Sequence, residues 1–105
     1  MGKINCKKEF LEEVRGKEVL CALVKRDAEY DGSQKEYALP VGYPLNKLAY
    51  FLADLEFKYD AGYGAQKIFG YIWYKDGTWS ERGEYDGSEW WEHKVQPEIP
   101  ERLRD

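Results

Sequence analysis

The residues whose types and spacing suit chemistry lie mainly between positions 79 and 93. This stretch holds four glutamates, three tryptophans, two serines and the single histidine of the chain. Asp-Gly pairs at positions 76–77 and 86–87 are typical of tight hairpin turns, so the stretch is predicted to fold as antiparallel strands. The register of these hairpins decides which of the reactive side chains meet.

Two-residue turns at both Asp-Gly pairs set a definite register, with Lys75 opposite Thr78 and Tyr85 opposite Ser88. A three-residue turn with a bulge would shift one strand by a residue and exchange its faces, so this register is a hypothesis. On one face the predicted rows are Ile68/Tyr85/Ser88, Gly70/Gly83/Trp90, Ile72/Glu81/Glu92 and Tyr74/Trp79/Lys94. On the other they are Phe69/Glu84/Glu89, Tyr71/Arg82/Trp91, Trp73/Ser80/His93 and Lys75/Thr78/Val95.

Two of these rows place glutamates directly opposite each other, Glu81 with Glu92 and Glu84 with Glu89. Like charges in this position are destabilising. Such carboxylates can extend into solvent, share a proton or a cation for acid/base chemistry, or form an acidic surface for a basic partner.

Other rows suggest packing rather than catalysis. Trp90 beside Gly70 and Gly83 fits a ring that covers strand glycines. Arg82 between Tyr71 and Trp91 fits a cation–π sandwich.

Ser80 and His93 share a row, as a nucleophile and its base would, but the sequence shows no acid to orient the histidine, so a surface hydrogen bond is the simpler interpretation. Two cysteines (Cys6 and Cys21) and one histidine make no zinc pattern, and no EF-hand loop is present. An oxygen-only Ca²⁺ or Mg²⁺ site stays open because carboxylates are plentiful, but we assign no metal ligands and predict no cofactor.

The negative charge of the chain is local. Residues 1–75 carry 12 basic and 11 acidic side chains, whereas residues 76–105 carry 4 basic and 9 acidic ones. Acidic groups interleaved with large aromatic side chains are typical of a protein-binding surface rather than of one that binds nucleic acid.

Composition limits the class of protein. A chain of 105 residues forms one compact domain, and its 43% hydrophobic content without a long apolar run excludes a membrane-spanning helix and a wholly disordered chain. The N-terminal residues do not resemble a secretory signal, so we predict reduced thiols and a cytoplasmic location.

The elements that position these residues follow from periodicity. Asn5 is predicted to cap a first helix that ends at Gly16, and a second helix follows Pro44. Strands are predicted over 17–26 (central and buried on both faces), 36–41 (at an edge because of Pro40), 57–60, 67–75, 78–85 and 88–95, with a turn at 31–32. The fold class is α+β: two helices on a mainly antiparallel sheet that ends in a three- or four-stranded C-terminal β-meander. Residues 1–95 form this single domain, and residues 96–105 form a polar tail.

The run from Ile72 to Pro100, IWYKDGTWSERGEYDGSEWWEHKVQPEIP, together with AGYGAQKIFG over 61–70, resembles the C-terminal part of small uncharacterised proteins of tailed bacteriophages and prophages. This resemblance covers about the last 45 residues and includes no catalytic motif. It implies a viral accessory protein in the host cytoplasm that inhibits a host enzyme or a defence complex.

The sequence thus favours a non-enzymatic binding protein that uses an acidic, aromatic surface against a basic protein partner. Membrane contact is not expected, and direct nucleic-acid binding is disfavoured. Two other functions stay open: a small cation-dependent or acid/base hydrolase that uses paired glutamates, and a structural homo-oligomer whose exposed aromatics pack against a second copy. The candidate partner-binding residues are Trp79, Glu81, Arg82, Glu84, Glu89, Trp90, Trp91 and Glu92.

Overall fold

The computed structural model describes residues 3–27, 33–62 and 64–104, and the turn predicted at 31–32 lies outside these ranges. In chain order the elements are β1 (Ile4–Asn5), α1 (Cys6–Glu13), β2 (Val19–Asp27), β3 (Gln34–Leu39), α2 (Leu45–Asp54), β4 (Lys58–Tyr59), β5 (Ile68–Tyr74), β6 (Trp79–Tyr85), β7 (Ser88–Lys94) and a short 3-10 helix (Glu101–Leu103). The last described residues, 95–104, are exposed.

The main sheet is antiparallel, with five strands in the order β3-β2-β5-β6-β7. Residues of α1 and α2 join the hydrophobic core on one side of this sheet, which we call the inner face. The predicted α+β class and the C-terminal meander of β5, β6 and β7 are confirmed. The segment predicted at 57–60 is not a fourth meander strand, because β4 pairs with β1 in a separate two-stranded sheet.

Local sequence explains where the helices begin. The Asn5 side chain accepts a hydrogen bond of 3.0 Å from the backbone N–H of Lys8, so it caps α1 as predicted. Pro44 immediately precedes α2, where a residue without an N–H leaves no helical hydrogen bond unmade.

The strand β2 is fully buried on its inner face only. Its inner residues Ala22 and Val24 are buried, whereas Cys21 and Leu23 on the opposite face are only half-buried. The prediction of a strand buried on both faces was wrong, because the helices pack on the inner face alone.

The second hairpin has the predicted register. Tyr85 pairs with Ser88, and the two-residue turn is closed by Asp86 and Gly87, both with positive φ (51° and 87°). Positive φ at both central residues defines the type I′ turn that Asp-Gly favours.

The predicted register of the first hairpin is wrong by one residue. Trp73 pairs with Trp79, and the backbone N–H of Tyr74 donates to the carbonyl of Thr78, which leaves a three-residue loop over 75–77. The Asp76 carboxylate accepts hydrogen bonds from the N–H and the hydroxyl of Thr78, and Gly77 has φ of 88°. This loop, with glycine in the left-handed region, is the next most common hairpin connection.

The shift exchanges the two faces of β5 relative to β6 and β7. Ile72 therefore pairs with Ser80 on the inner face, while Tyr71 pairs with Glu81 on the other side, which we call the outer face. As a result the core residue Ile72 shares its face with Ser80, while the exposed aromatic residues Tyr71 and Trp73 share theirs with Glu81 and Trp79.

Gly70 allows β5 to approach β2 closely. Its φ is 145°, and a Cβ atom at this position would collide with the carbonyl oxygen of Leu23. No other residue fits here without moving one of the two strands.

Replacing Gly70 with Ala is expected to lower the free energy of unfolding by about 3 kcal/mol, because the methyl group adds a collision to an unfavourable φ. Gly42 is the matched control, since it also has positive φ (76°) but an added Cβ atom would meet nothing within 4 Å. Gly42→Ala should cost only about 1 kcal/mol. Urea denaturation of both variants measures the difference, and equal losses would contradict the close approach.

Candidate functional site

Six of the outer-face residues form what we call the aromatic face: Tyr71, Trp73, Trp79, Glu81, Trp90 and Glu92. Of these, Tyr71 is 45% exposed, Trp73 38% and Trp90 37%, which are high values for large aromatic residues in the middle of strands. The β-sheet periodicity of two places them all on the side opposite to the helices. A surface of this kind is typical of an interaction site.

The rings of the aromatic face are ordered by contacts with one another. Tyr71 and Trp73 stack with ring centroids 5.6 Å apart and an interplanar angle of 28°. Trp79 lies on the neighbouring strand directly opposite Trp73. The three rings therefore lie on the same face of the two adjacent strands β5 and β6.

The two glutamates of the face are each bound to a tryptophan. The indole N–H of Trp79 donates to Glu81 at 2.9 Å, and the indole N–H of Trp90 donates to Glu92 at 2.9 Å. These hydrogen bonds satisfy the indole donors and hold each carboxylate beside an aromatic ring. The predicted pairing of Glu81 with Glu92 across the strands is confirmed.

Gly83 makes room for one of these tryptophans. A Cβ atom at Gly83 would come within 2.9 Å of the Trp90 indole nitrogen and 2.7 Å of the Glu92 carboxylate. The prediction that Trp90 covers a strand glycine is therefore correct for Gly83. It is wrong for Gly70, whose missing side chain makes room for the backbone of β2.

Three of the candidate binding residues are instead buried. Arg82 and Glu89 have side chains that are 1% and 0% exposed, and Trp91 is 8% exposed. The reason is register: these residues occupy the inner face of β6 and β7, beneath the helices. They are therefore removed from the candidate binding surface.

Arg82 is the centre of this buried cluster, which we call the Arg82 network. Its guanidinium lies 2.8 Å from Glu89 and 3.1 Å from Glu9 of α1, and it donates a hydrogen bond of 2.9 Å to the Tyr59 hydroxyl. Tyr59 in turn donates to Glu9 at 2.6 Å. Burial alone would lower the pKa of Arg82, but the nearby Glu9 carboxylate helps to raise the pKa above its ordinary value, so the cation is retained.

Trp91 completes the Arg82 network. The Arg82 guanidinium lies 5.1 Å from the Trp91 ring centroid and 5.8 Å from that of Tyr59. The predicted cation–π contact with Trp91 is confirmed. The predicted contact with Tyr71 is wrong, because Tyr71 is on the outer face and Tyr59 takes its place.

Glu89 also ties the network to the start of β5. Its carboxylate accepts the backbone N–H groups of Lys67 and Ile68 at 2.8 and 2.9 Å. The predicted pairing of Glu84 with Glu89 is present. The two carboxylates have different partners: Glu89 accepts a hydrogen bond from Arg82, while Glu84 accepts the N–H of Gly87 at the turn.

Ser80 and His93 are cross-strand partners, as predicted, but their side chains bind different groups. Ser80 is fully buried and donates to Glu13 at 2.6 Å, and it shares a hydrogen bond of 2.7 Å with the Tyr74 hydroxyl. His93 lies 2.9 Å from the hydroxyl of Thr78. The arrangement links strands and α1, and it gives no support to a nucleophile–base pair.

Among residues 3–27, 33–62 and 64–104, no three or more His, Cys, Asp or Glu side chains come together in a way that would hold a metal ion. No helix in the same ranges is long and apolar enough to cross a membrane. A partly apolar cleft of about 280 Å³ lies between the helices and the beginning of β2, lined by residues such as Phe10, Val14 and Leu52.

The chain matches no protein-family model, no curated protein and no solved structure.

The tandem Trp–Glu pairing was recoverable in part from sequence, because tryptophan and glutamate two positions apart on a strand share a face. The contributions of Tyr71, Trp73, Glu9 and Tyr59 required the correct register and the tertiary contacts.

Replacing Arg82 with Met is expected to lower the free energy of unfolding at pH 7 by about 3–5 kcal/mol, because two carboxylates lose their buried counter-charge. Adding Glu89→Gln to this variant should restore part of the loss, since the neutral amide needs no cation. Arg102→Met is the control, because Arg102 is exposed and should matter by less than about 0.5 kcal/mol. Urea denaturation measures all three, and a small loss for Arg82→Met would contradict the role of the network.

The pH dependence of the free energy of unfolding tests whether the Cys6 thiol is buried. Burial raises the pKa of this thiol from 9.0 to about 12. Above pH 9 the unfolded chain loses the thiol proton while the folded chain keeps it, so stability falls as pH rises towards 12.

Cys6→Ala should therefore flatten the fall in unfolding free energy between pH 10 and 11 by about 1 kcal/mol per pH unit. Cys21, which is half-buried, is the comparison, and Cys21→Ala should change the slope less. Denaturant titrations at several alkaline pH values give the slopes. Identical slopes for wild type and Cys6→Ala would show that the thiol is not buried in its protonated form.

Proposed function

We propose that this protein is a non-enzymatic binding protein whose aromatic face binds a partner protein with a basic, partly apolar surface. The observation that carries the proposal is the group of exposed tryptophan and tyrosine rings on the sheet face away from both helices. Their order is maintained by ring stacking and by indole–carboxylate hydrogen bonds. Large aromatics that are rigid before binding lose little conformational freedom when a partner covers them.

The charge of the partner follows from the charge that is left at the surface. Arg82 and Glu89 neutralise each other inside the protein, so the net charge of −5 in residues 76–105 comes from the other side chains. On the aromatic face itself the acidic groups are Glu81 and Glu92, beside the Lys94 ammonium, and the other acidic side chains of this segment lie at the turns, on the inner face or in the tail. A basic protein surface is attracted to this region, whereas nucleic-acid phosphates are repelled.

The resemblance to phage and prophage proteins supports a more specific proposal. The protein would be a phage-encoded accessory protein in the host cytoplasm, and its binding would inhibit a host enzyme or a defence complex. The catalytic alternative has less support, because Glu81 and Glu92 are each engaged by an indole N–H and Glu92 also lies 3.4 Å from the Lys94 ammonium.

A structural homo-oligomer is the second candidate, since exposed aromatics on a sheet face also suit packing against a second copy. Light scattering discriminates between the two functions. The proposal expects a monomer at micromolar concentration. A stable dimer that Trp73→Ala and Trp90→Ala dissociate would overturn it and establish self-association.

Partner binding is expected to depend on the aromatic face. Proteins captured from a bacterial lysate by the full-length chain should be purified and their affinities measured by calorimetry. The doubly substituted variants Glu81→Lys/Glu92→Lys and Trp73→Ala/Trp90→Ala should each weaken binding at least about tenfold, as is usual for central interface residues.

Matched controls place the same changes on the helical side of the molecule, where Glu12 and the 68%-exposed Tyr50 lie. Glu12→Lys and Tyr50→Ala should leave the affinity unchanged, and added salt should weaken wild-type binding. If the face variants bind every captured partner as the wild type does, the proposal is wrong.

A further inference from the structure

The aromatic face contains the same structural unit twice. In each unit a tryptophan donates its indole N–H, at 2.9 Å, to the glutamate two residues further along the strand. One unit is Trp79–Glu81 on β6, and the other is Trp90–Glu92 on β7. Each presents an aromatic ring beside a carboxylate that has a fixed position.

The two units are related by the antiparallel pairing of their strands. Glu81 and Glu92 are direct cross-strand partners, so they lie together in the middle. Trp79 pairs with Lys94 and Trp90 pairs with Gly83, which places the tryptophans on opposite sides of the glutamates. The rows of the two tryptophans are four residues apart, or about 13 Å along the strands.

The chemistry of one unit matches a guanidinium group better than an ammonium group. A planar guanidinium stacks on an indole ring and donates two parallel N–H groups to a carboxylate, whereas lysine offers a compact point charge. Accepting one indole N–H uses only one of about four lone-pair positions of the carboxylate, so each glutamate can still receive such a pair.

The carboxylates of the two units are also able to pair with an incoming cation. In the described part of the chain Glu81 is in no ion pair, and the only cation paired with Glu92 is the Lys94 ammonium at 3.4 Å. That contact is exposed, with side chains 44% and 38% accessible, and such pairs contribute little stability. An incoming guanidinium can displace it readily.

We infer that the aromatic face recognises two arginines whose Cα atoms are about 13 Å apart, one at each Trp–Glu unit, so that each guanidinium reaches over its tryptophan towards the glutamates in the middle. This inference rests on the proposed function, of which it defines the partner's chemistry. In an extended segment, arginines four positions apart have this spacing and lie on the same side of the strand.

Peptide titrations of the ¹⁵N-labelled full-length chain test the inference by NMR, with the indole N–H signals of Trp79 and Trp90 as reporters. The probes are capped nine-residue peptides of Gly, Ser and Thr that carry two arginines four positions apart, two lysines four positions apart, or two arginines two positions apart. The first peptide should shift both indole signals and bind about fivefold more tightly than the other two.

Charge-neutral variants then assign the contacts. Glu81→Gln and Glu92→Gln keep an oxygen for the indole hydrogen bond but lose the negative charge, so each should weaken binding of the first peptide about threefold. Glu12→Gln, which removes the same charge on the helical side, should have no effect.

The outcomes separate this inference from the proposed function. If the three peptides shift the indole signals with equal affinity, the preference for spaced arginines is wrong while binding of basic partners stands. If none of them shifts these signals, the inference is overturned, while the proposed function is decided by the captured partners and the face variants. If a thymidine oligonucleotide binds the face more tightly than the first peptide, both proposals are overturned.

Discussion

The fold depends on one buried cation. The guanidinium of Arg82 is 1% exposed, and it has two carboxylate partners, Glu9 from α1 and Glu89 from β7. The Arg82 guanidinium also donates a hydrogen bond to Tyr59 of β4, and Glu89 accepts the backbone N–H groups where β5 begins. A charge in the protein interior is tolerated only with such compensation. The helix and three strands are therefore held to one arrangement around this side chain.

The inward orientation of the Arg82 side chain also decides which side chains lie on the outer face. Because side chains alternate along a strand, an inward Arg82 forces Glu81 outward, together with Trp79. The same alternation turns Trp91 into the core and Trp90 out of it. The aromatic face is thus a consequence of the Arg82 network, and a slip of one residue would bury Glu81 without a counter-charge while exposing Arg82. The buried Arg82 network therefore determines which side chains the proposed binding surface contains.

Much of the secondary structure was predictable, because it depends on local chemistry. The cap at Asn5 and the type I′ turn at Asp86-Gly87 both follow from nearest neighbours. The candidate site was predictable only where it depended on the second hairpin, including the opposed pair Glu81 and Glu92. The prediction of binding residues was wrong for residues of the same acidic, tryptophan-rich segment whose side chains lie on the inner face, such as Glu89.

By itself, then, the sequence determined an α+β domain, an acidic C-terminal meander and the register between β6 and β7. Only the tertiary structure decided which face of that meander is buried and how β5 is aligned with it. The physical reason is that two Asp-Gly turns can close loops of different length. Here the carboxylate of Asp76 binds Thr78, and the backbone N–H of Lys75 donates to the carbonyl of Glu18, just before β2, which together favour the longer loop. Contacts distant in sequence thereby place Tyr71 beside Glu81.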